Sequence, residues 1–141
     1  MKNKDTGKTT EELINNRVMD TVLNQLIESL TGVDPDMEIK YLAVGTSSAA
    51  LGDNQTQLTT EIFRTPPTTI PTRTATGQVE TEFTILDSEA VATIEEIGIF
   101  GGSTASMTTD SGTLLSRILW HKVKTSSEEI TITRIDKVVR N

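Results

Sequence analysis

His121 is the single histidine of the chain, and there is no cysteine. Hydrolysis by a Ser-His-Asp arrangement would run through His121, with Asp87, Asp110 or Asp136 as the orienting acid. No nucleophile-elbow pattern accompanies it. His121 follows Trp120 within a strand pattern, so a structural role is expected and no catalytic residue is assigned. One histidine without cysteine is a poor start for a zinc site, and no metal or cofactor is expected. Adjacent carboxylates occur at Glu11-Glu12, Glu95-Glu96 and Glu128-Glu129. Glycoside hydrolysis needs two carboxylates facing each other across roughly 5–10 Å. Neighbours on a strand point to opposite faces, so none of these pairs is a dyad by itself. Asp34-Pro35-Asp36 offers two carboxylates but lacks the spacing of an EF-hand loop. Gly101-Gly102 lacks the wider glycine spacing and the following Lys of a phosphate-binding loop. Lys122, Lys124, Arg134, Lys137 and Arg140 gather late in the chain. They could form a basic patch, but solvated faces pairing with nearby glutamates are the preferred reading.

The elements that would carry these residues must fit in 141 residues, a length that suits one domain. The formal net charge is −7, which disfavours a phosphate-backbone partner, so no nucleic acid is expected. Aromatic residues make up 4 % of the chain, few for stacking on bases or sugars. No apolar run approaches membrane-spanning length, and the basic start Met1 to Asp5 has no apolar segment behind it. Neither membrane insertion nor a secretory signal is expected. Threonine is frequent, as in residues 68–76. That suits half-buried pleated surfaces, although compositional drift explains it equally well.

Residues 1–8 read as a mobile N-terminus. Thr9 and Glu12 have capping-box spacing, and Glu11 adds charge to a first turn. Behind them Leu13, Ile14, Val18, Met19, Val22, Leu23, Leu26, Ile27 and Leu30 recur at helical spacing. Gly32 is a natural stop and Pro35 lies beyond it. The spacing predicts an N-terminal amphipathic helix over 9–32. Its stripe either closes the core of its own chain or packs against a neighbouring subunit. From residue 37 to 141 the pattern turns extended. Strands are expected at 39–44, 79–85, 94–100, 114–123 and 129–135, separated by turn-rich loops. Residues 58–64 are ambiguous between helix and strand, and Pro66, Pro67 and Pro71 are expected to break regular structure. Without long intervening helices, the pattern predicts a mainly β fold, an antiparallel, jelly-roll-like β-sandwich behind one helix. The small-residue loops 46–57 and 103–112 are expected to be free to touch partners. Arg117 is a candidate for a cross-strand ion pair with Glu95, Glu96 or Glu61, a register pin if buried. Gly98 within a strand allows close approach of a large side chain or a neighbouring chain.

Three segments in order resemble a family of small tailed-phage and prophage structural proteins associated with tail fibres, baseplates or collars. The first is Ile39 to Val44, with Gly45-Thr46 and a loop leading to Leu58-Thr59-Thr60-Glu61-Ile62-Phe63-Arg64. The second is Ile94 to Gly102, and the third is Leu114-Leu115-Ser116-Arg117-Ile118-Leu119 with Ile130 to Thr133 after it. Two features depart from the family pattern. No second Gly-Thr follows Gly45-Thr46, and Glu95 stands where a basic or polar residue is common. The resemblance implies a non-enzymatic virion component made in the host bacterial cytoplasm. It would be a homo-oligomer, a trimer by analogy, that contacts other virion proteins. The alternative from another class is a carbohydrate- or cell-surface-binding module, which should expose two or three rings on one face or a carboxylate-lined calcium loop.

Overall fold

The computed structural model describes residues 2–3, 11–14 and 17–140. Alternation drives the strands. In β5 (Gln78–Ile85), Thr81, Phe83 and Ile85 are buried while the residues between them are half-exposed. The other strands among the described residues are β1 (Lys2–Asn3), β2 (Ile39–Gly45), β3 (Glu61–Thr65), β4 (Thr69–Ala75), β6 (Thr93–Gly101), β7 (Thr113–Val123) and β8 (Glu128–Lys137). They form two antiparallel four-stranded sheets, ordered β3-β2-β6-β7 and β1-β8-β5-β4. The chain is thus a mainly β protein, consistent with a β-sandwich, with one short helix near its N-terminus. Pairs within a sheet (β2 with β3, β4 with β5, β6 with β7) alternate with passages to the other sheet.

The sheets meet over Leu42, Val44, Ile97, Ile99, Leu115 and Trp120 on one side and Phe83, Ile85 and Ile130 on the other. A second, smaller core lies on the outer face of the first sheet, where Met19 and Leu58 cover Ala43, Phe100 and Leu114. Strand β6 serves both cores. Ile97 and Ile99 face inward, while Glu96, Gly98 and Phe100 face the outer layer and are all buried. β7 does the same over Leu114 to Arg117.

The helix departs from expectation. Helix α1 covers Asp20–Glu28, and a 3-10 turn follows at Ser29–Thr31. Gly32 ends it, as expected, with φ of 91°. Thr9 and the first residues of the expected helix lie outside the described residues. The described part before Asp20 is not helical. Glu12 gives its carboxylate to the Trp120 indole N–H at 2.8 Å, and Ile14 packs against the main core. Val18 bridges to Ser116, and the Met19 N–H donates to Leu115 O at 3.0 Å. Pairing with the β7 edge satisfies these backbone groups and buries Met19 completely. Tertiary burial here overrides a helical period that the sequence carries clearly.

Two further differences concern strands. β4 forms across Pro71, where a break was expected. Among the described residues it is an edge strand paired only with β5, and its register shifts between Thr69 and Thr72. The missing proline N–H is not required at such a place. Lys2–Asn3 pairs with Glu129 and Glu128, so this part of the expected mobile N-terminus is built into a sheet. Residues 4–8 lie outside the described residues.

Candidate assembly surface

Glu96 lies on the central strand β6, and Arg117 is on β7 beside it, where it pairs in register with Gly98. The Arg117 Nε–H donates to Glu96 Oε2 at 2.7 Å, and both side chains have no exposed surface. The remaining valences are filled by the loop between β2 and β3. Arg117 donates to Ala49 O at 3.0 Å and to Gln55 Oε1 at 3.4 Å. Glu96 accepts the backbone N–H groups of Thr60 at 2.8 Å and Thr59 at 3.1 Å. Two glycines make room. A Cβ at Gly45 would strike Glu96 Oε1 and Thr60 O, and one at Gly98 would lie 2.6 Å from Leu58 Cδ2. Gly98 therefore admits a side chain of its own chain, Leu58, which closes the second core.

Arg64 of β3 makes a parallel cluster. Its Nε–H and Nη2–H donate to both oxygens of Glu61 at 2.8 and 2.7 Å, a bidentate pair. Nη1 donates to Ser106 O at 2.8 Å and to Ser111 O at 3.1 Å. Its guanidinium carbon lies 4.5 Å from the centre of the Phe100 ring. Glu61 thus serves Arg64 and not Arg117, and Glu95 bonds the exposed His121 at 2.8 Å. Loops 46–57 and 103–112, expected to be free, are instead held to the sheet by Arg117 and Arg64.

Of the late basic residues, Lys122 pairs with Glu128 at 3.1 Å and Arg134 with Asp136 at 2.8 Å. Lys124 is buried, and its ammonium donates to Asp87 O at 3.0 Å. Burial pushes its pKa down, against the pull of Glu128, Asp87 and Glu89. Lys137 and Arg140 stay exposed.

Helix α1 is clamped through its polar side. Arg17 and Asp53 pair at 2.6 Å just before it, and the Asp20 N–H donates to Asp53 O at 2.8 Å. Gln25 Oε1 accepts the Asp36 N–H at 2.6 Å, while the Asp36 carboxylate holds the Ser103 N–H and hydroxyl, both at 2.8 Å. Asp36 is therefore a tether for the loop after β6. Val22 reaches the main core. The opposite face carries Leu23, Leu26 and Ile27, continued by Leu30 of the 3-10 turn, exposed at 53, 45, 66 and 83 %. Of the nine apolar residues expected to form one stripe, Met19 is buried, Ile14 and Val22 pack on the main core, and Leu13 and Val18 lie outside the helix. The other four form an outward apolar face.

The aromatic rings do not form a platform. Phe83, Trp120 and Phe63 belong to the main core, and Phe100 and Tyr41 to the second. A cleft of about 980 Å³ opens between the sheets along β7 and β8, lined by Ile97, Ile99, Ile118, Trp120, Ile132 and Arg134 among others, with Glu11 to Ile14 lying in it. Its walls are largely apolar, and Arg134 is already engaged by Asp136 and by Ser116 Oγ at 2.5 Å. Comparisons with family models, with curated proteins and with solved structures found no match.

Proposed function

We propose that this chain is a non-enzymatic structural component of a tailed-phage virion. It would assemble through symmetric contacts at the tail tip, baseplate, fibre attachment or neck, with α1 as its docking element. The observation that carries this reading is the outward face of Leu23, Leu26, Ile27 and Leu30 on a helix held by its polar side. Large apolar side chains grouped on one exposed face mark association sites. Burying each is worth roughly 1.5–3 kcal/mol, so four of them supply a substantial part of an interface. The two buried arginine clusters support the reading as well, because they turn long loops into fixed surface and make the body a rigid block. The packing of the rings into the cores weighs against a sugar-stacking module.

Light scattering on purified protein tests the assembly claim. The expected result is an oligomer, three chains by analogy, that dissociates when Leu26 and Ile27 are both replaced by Gln while the thermal midpoint of the fold is kept. A wild-type monomer at high concentration would overturn it. Detection of the chain by antibody on purified particles whose genome encodes it tests the virion claim, and particles lacking the chain would sink that part.

A further inference from the structure

The two sheets part along one side, between β7 and β8. β7 is the last strand of its sheet, and β8 is covered on its outer edge by the two residues of β1. Among the described residues the outer edge of β7 meets Val18 at Ser116 and the Met19 N–H at Leu115 O. Its stretch from Ile118 to Lys122 has no strand partner there, nor has the outer edge of β8 from Ile130 to Lys137. These edges are the lips of the inter-sheet cleft. Ile130 to Ile135 line it in succession, inward and outward residues alike, so the cleft runs along the edge of the strand and not along one face. Apolar walls beside open strand edges make an acceptor for an added strand, held by main-chain bonds and by alternate side chains in the cleft.

The segment ahead of α1 is seated on this acceptor. Lys2–Asn3 extend the second sheet, antiparallel to β8 and opposite Glu129 and Glu128. Glu11 to Ile14 lie in the cleft, where Glu12 takes the Trp120 indole N–H and Ile14 packs on the main core. Charge matches as well. Residues 1–8 contain Lys2, Lys4 and Lys8 against one acid, Asp5, while β8 begins Glu128-Glu129. The register sets Lys2 directly across from Glu129, and opposite charges so placed favour a pairing. The fit is nonetheless partial, since Leu13 is 95 % exposed and the cleft stays open beside the segment. Helix α1 is anchored separately, through Arg17 and Asp20 to Asp53 and through Gln25 to Asp36. The arm can therefore leave the cleft while α1 stays on the body. Its contacts with β7, β8 and the core beneath them are the same whichever chain supplies it.

We infer that the cleft is a strand acceptor through which copies of this chain exchange arms, Lys2–Asn3 and Glu11 to Ile14 of one copy lying in the cleft of the next. This rests on the assembly reading above and adds a second contact to the one made by α1. Exchange of an identical element gives up no contact and is a low-cost route to an oligomer. Each copy gives one arm and receives one, whether the ring holds two copies or three. In the single chain the arm covers its own cleft and shields the two open edges from uncontrolled pairing.

The chain has no cysteine, so introduced thiols can report on the arm alone. Residues directly opposed on antiparallel strands have Cα atoms about 4.5–5.5 Å apart, within reach of a disulfide. The test places Lys2→Cys in one full-length chain and Glu129→Cys in a second that differs in mass by a tag. The two are co-expressed, purified as the oligomer and oxidised, and circular dichroism with thermal melting verifies the fold. On a non-reducing denaturing gel the expected product is a linked pair with one chain of each kind. A chain carrying both substitutions is expected to link into a covalent oligomer. Adding Ile14→Asp, which unseats the arm, is expected to lower the linked fraction several-fold and to red-shift the emission of Trp120, the single tryptophan. Linkage undiminished by Ile14→Asp would be collisional, and exchange would fail. If the doubly substituted chain closes its disulfide only within itself while light scattering keeps the oligomer mass, exchange is wrong and assembly through α1 stands. A folded oligomer with no linkage of either kind has the same meaning. A wild-type monomer removes both the inference and the assembly reading beneath it.

Discussion

The outer face of the first sheet and the helix beside it treat polarity in opposite ways. On the sheet, Arg117, Glu96, Arg64 and Glu61 lie almost wholly out of water. On the helix, Leu23, Leu26, Ile27 and Leu30 lie largely in it. The first arrangement holds only because every buried charge is met. Arg117 and Glu96 neutralise each other and fill their other sites with loop backbone. Among the described residues the second has no such compensation. A buried charge is retained where its network is complete. Among the described residues the sheet face is finished within the chain, and the helix face is left exposed.

Breaking the sheet side should give the largest effect. Replacing Glu96 with Ala leaves Arg117 buried without a counter-charge, and the loss should be about 3–5 kcal/mol in urea unfolding. Arg117→Ala should cost a similar amount, and unchanged thermal stability in that variant would refute its role as a register pin. The double change Glu96→Leu with Arg117→Met should recover much of the loss, because a matched apolar pair of similar volume often replaces a buried ion pair without penalty. If the double variant is as unstable as either single one, the loop bonds and not the charge pair hold this face. A smaller effect belongs to Gly98→Ala. Its Cβ would meet Leu58 Cδ2 at 2.6 Å and Leu114 Cδ1 at 3.1 Å, so overpacking should cost about 1–3 kcal/mol. Leu58→Ala in the same chain should return part of it.

The helix side should respond in the opposite sense. Leu26→Gln and Ile27→Gln should each move the folding stability of the isolated chain by no more than about 0.5 kcal/mol, as surface changes usually do. A loss comparable to that of Glu96→Ala would mean that α1 packs on its own body in solution and that the comparison between the two regions is false.

The same contrast explains what could be read from residue order. Strands β2, β5, β6, β7 and β8 were legible because each alternates or carries an apolar run between turn residues, and those signals are local. The partner of Arg117 was legible only as a choice among Glu95, Glu96 and Glu61. The choice depends on which face each strand residue takes and on loop 46–60 folding back, neither of which is local. Arg64 gave no signal of burial, because its guanidinium is held by carbonyls at Ser106 and Ser111, more than forty residues away in sequence. The helix failed in a different way. The apolar period from Leu13 to Leu30 is continuous, yet the described residues before Asp20 are not helical, since Ile14 and Met19 find two different cores and Val18 an open strand edge.

Lys124 offers the finest test, because it is a buried cation whose ammonium donates to backbone carbonyls rather than to a buried carboxylate as Arg117 does. Its ammonium is held by the carbonyls of Asp87 and Thr125 at 3.0 and 3.4 Å. Burial lowers its pKa from 10.5, and the attraction of Glu128, Asp87 and Glu89 only partly offsets this. Below the lowered value both folded and unfolded chains hold the proton, and the full cost of burying the charge is present. Between that value and 10.5 the unfolded chain still holds the proton while the folded chain has released it. Stability therefore rises with pH across this window. The gain is about 1.4 kcal/mol for each tenfold drop in the proton affinity of the folded state. In Lys124→Met this contribution is absent, so the stability of the wild type relative to the variant should climb between neutral and strongly alkaline pH. A difference that stays flat over that range would place the ammonium in contact with water. Lys124 would then belong with the exposed cations Lys137 and Arg140 and not with the buried arginines.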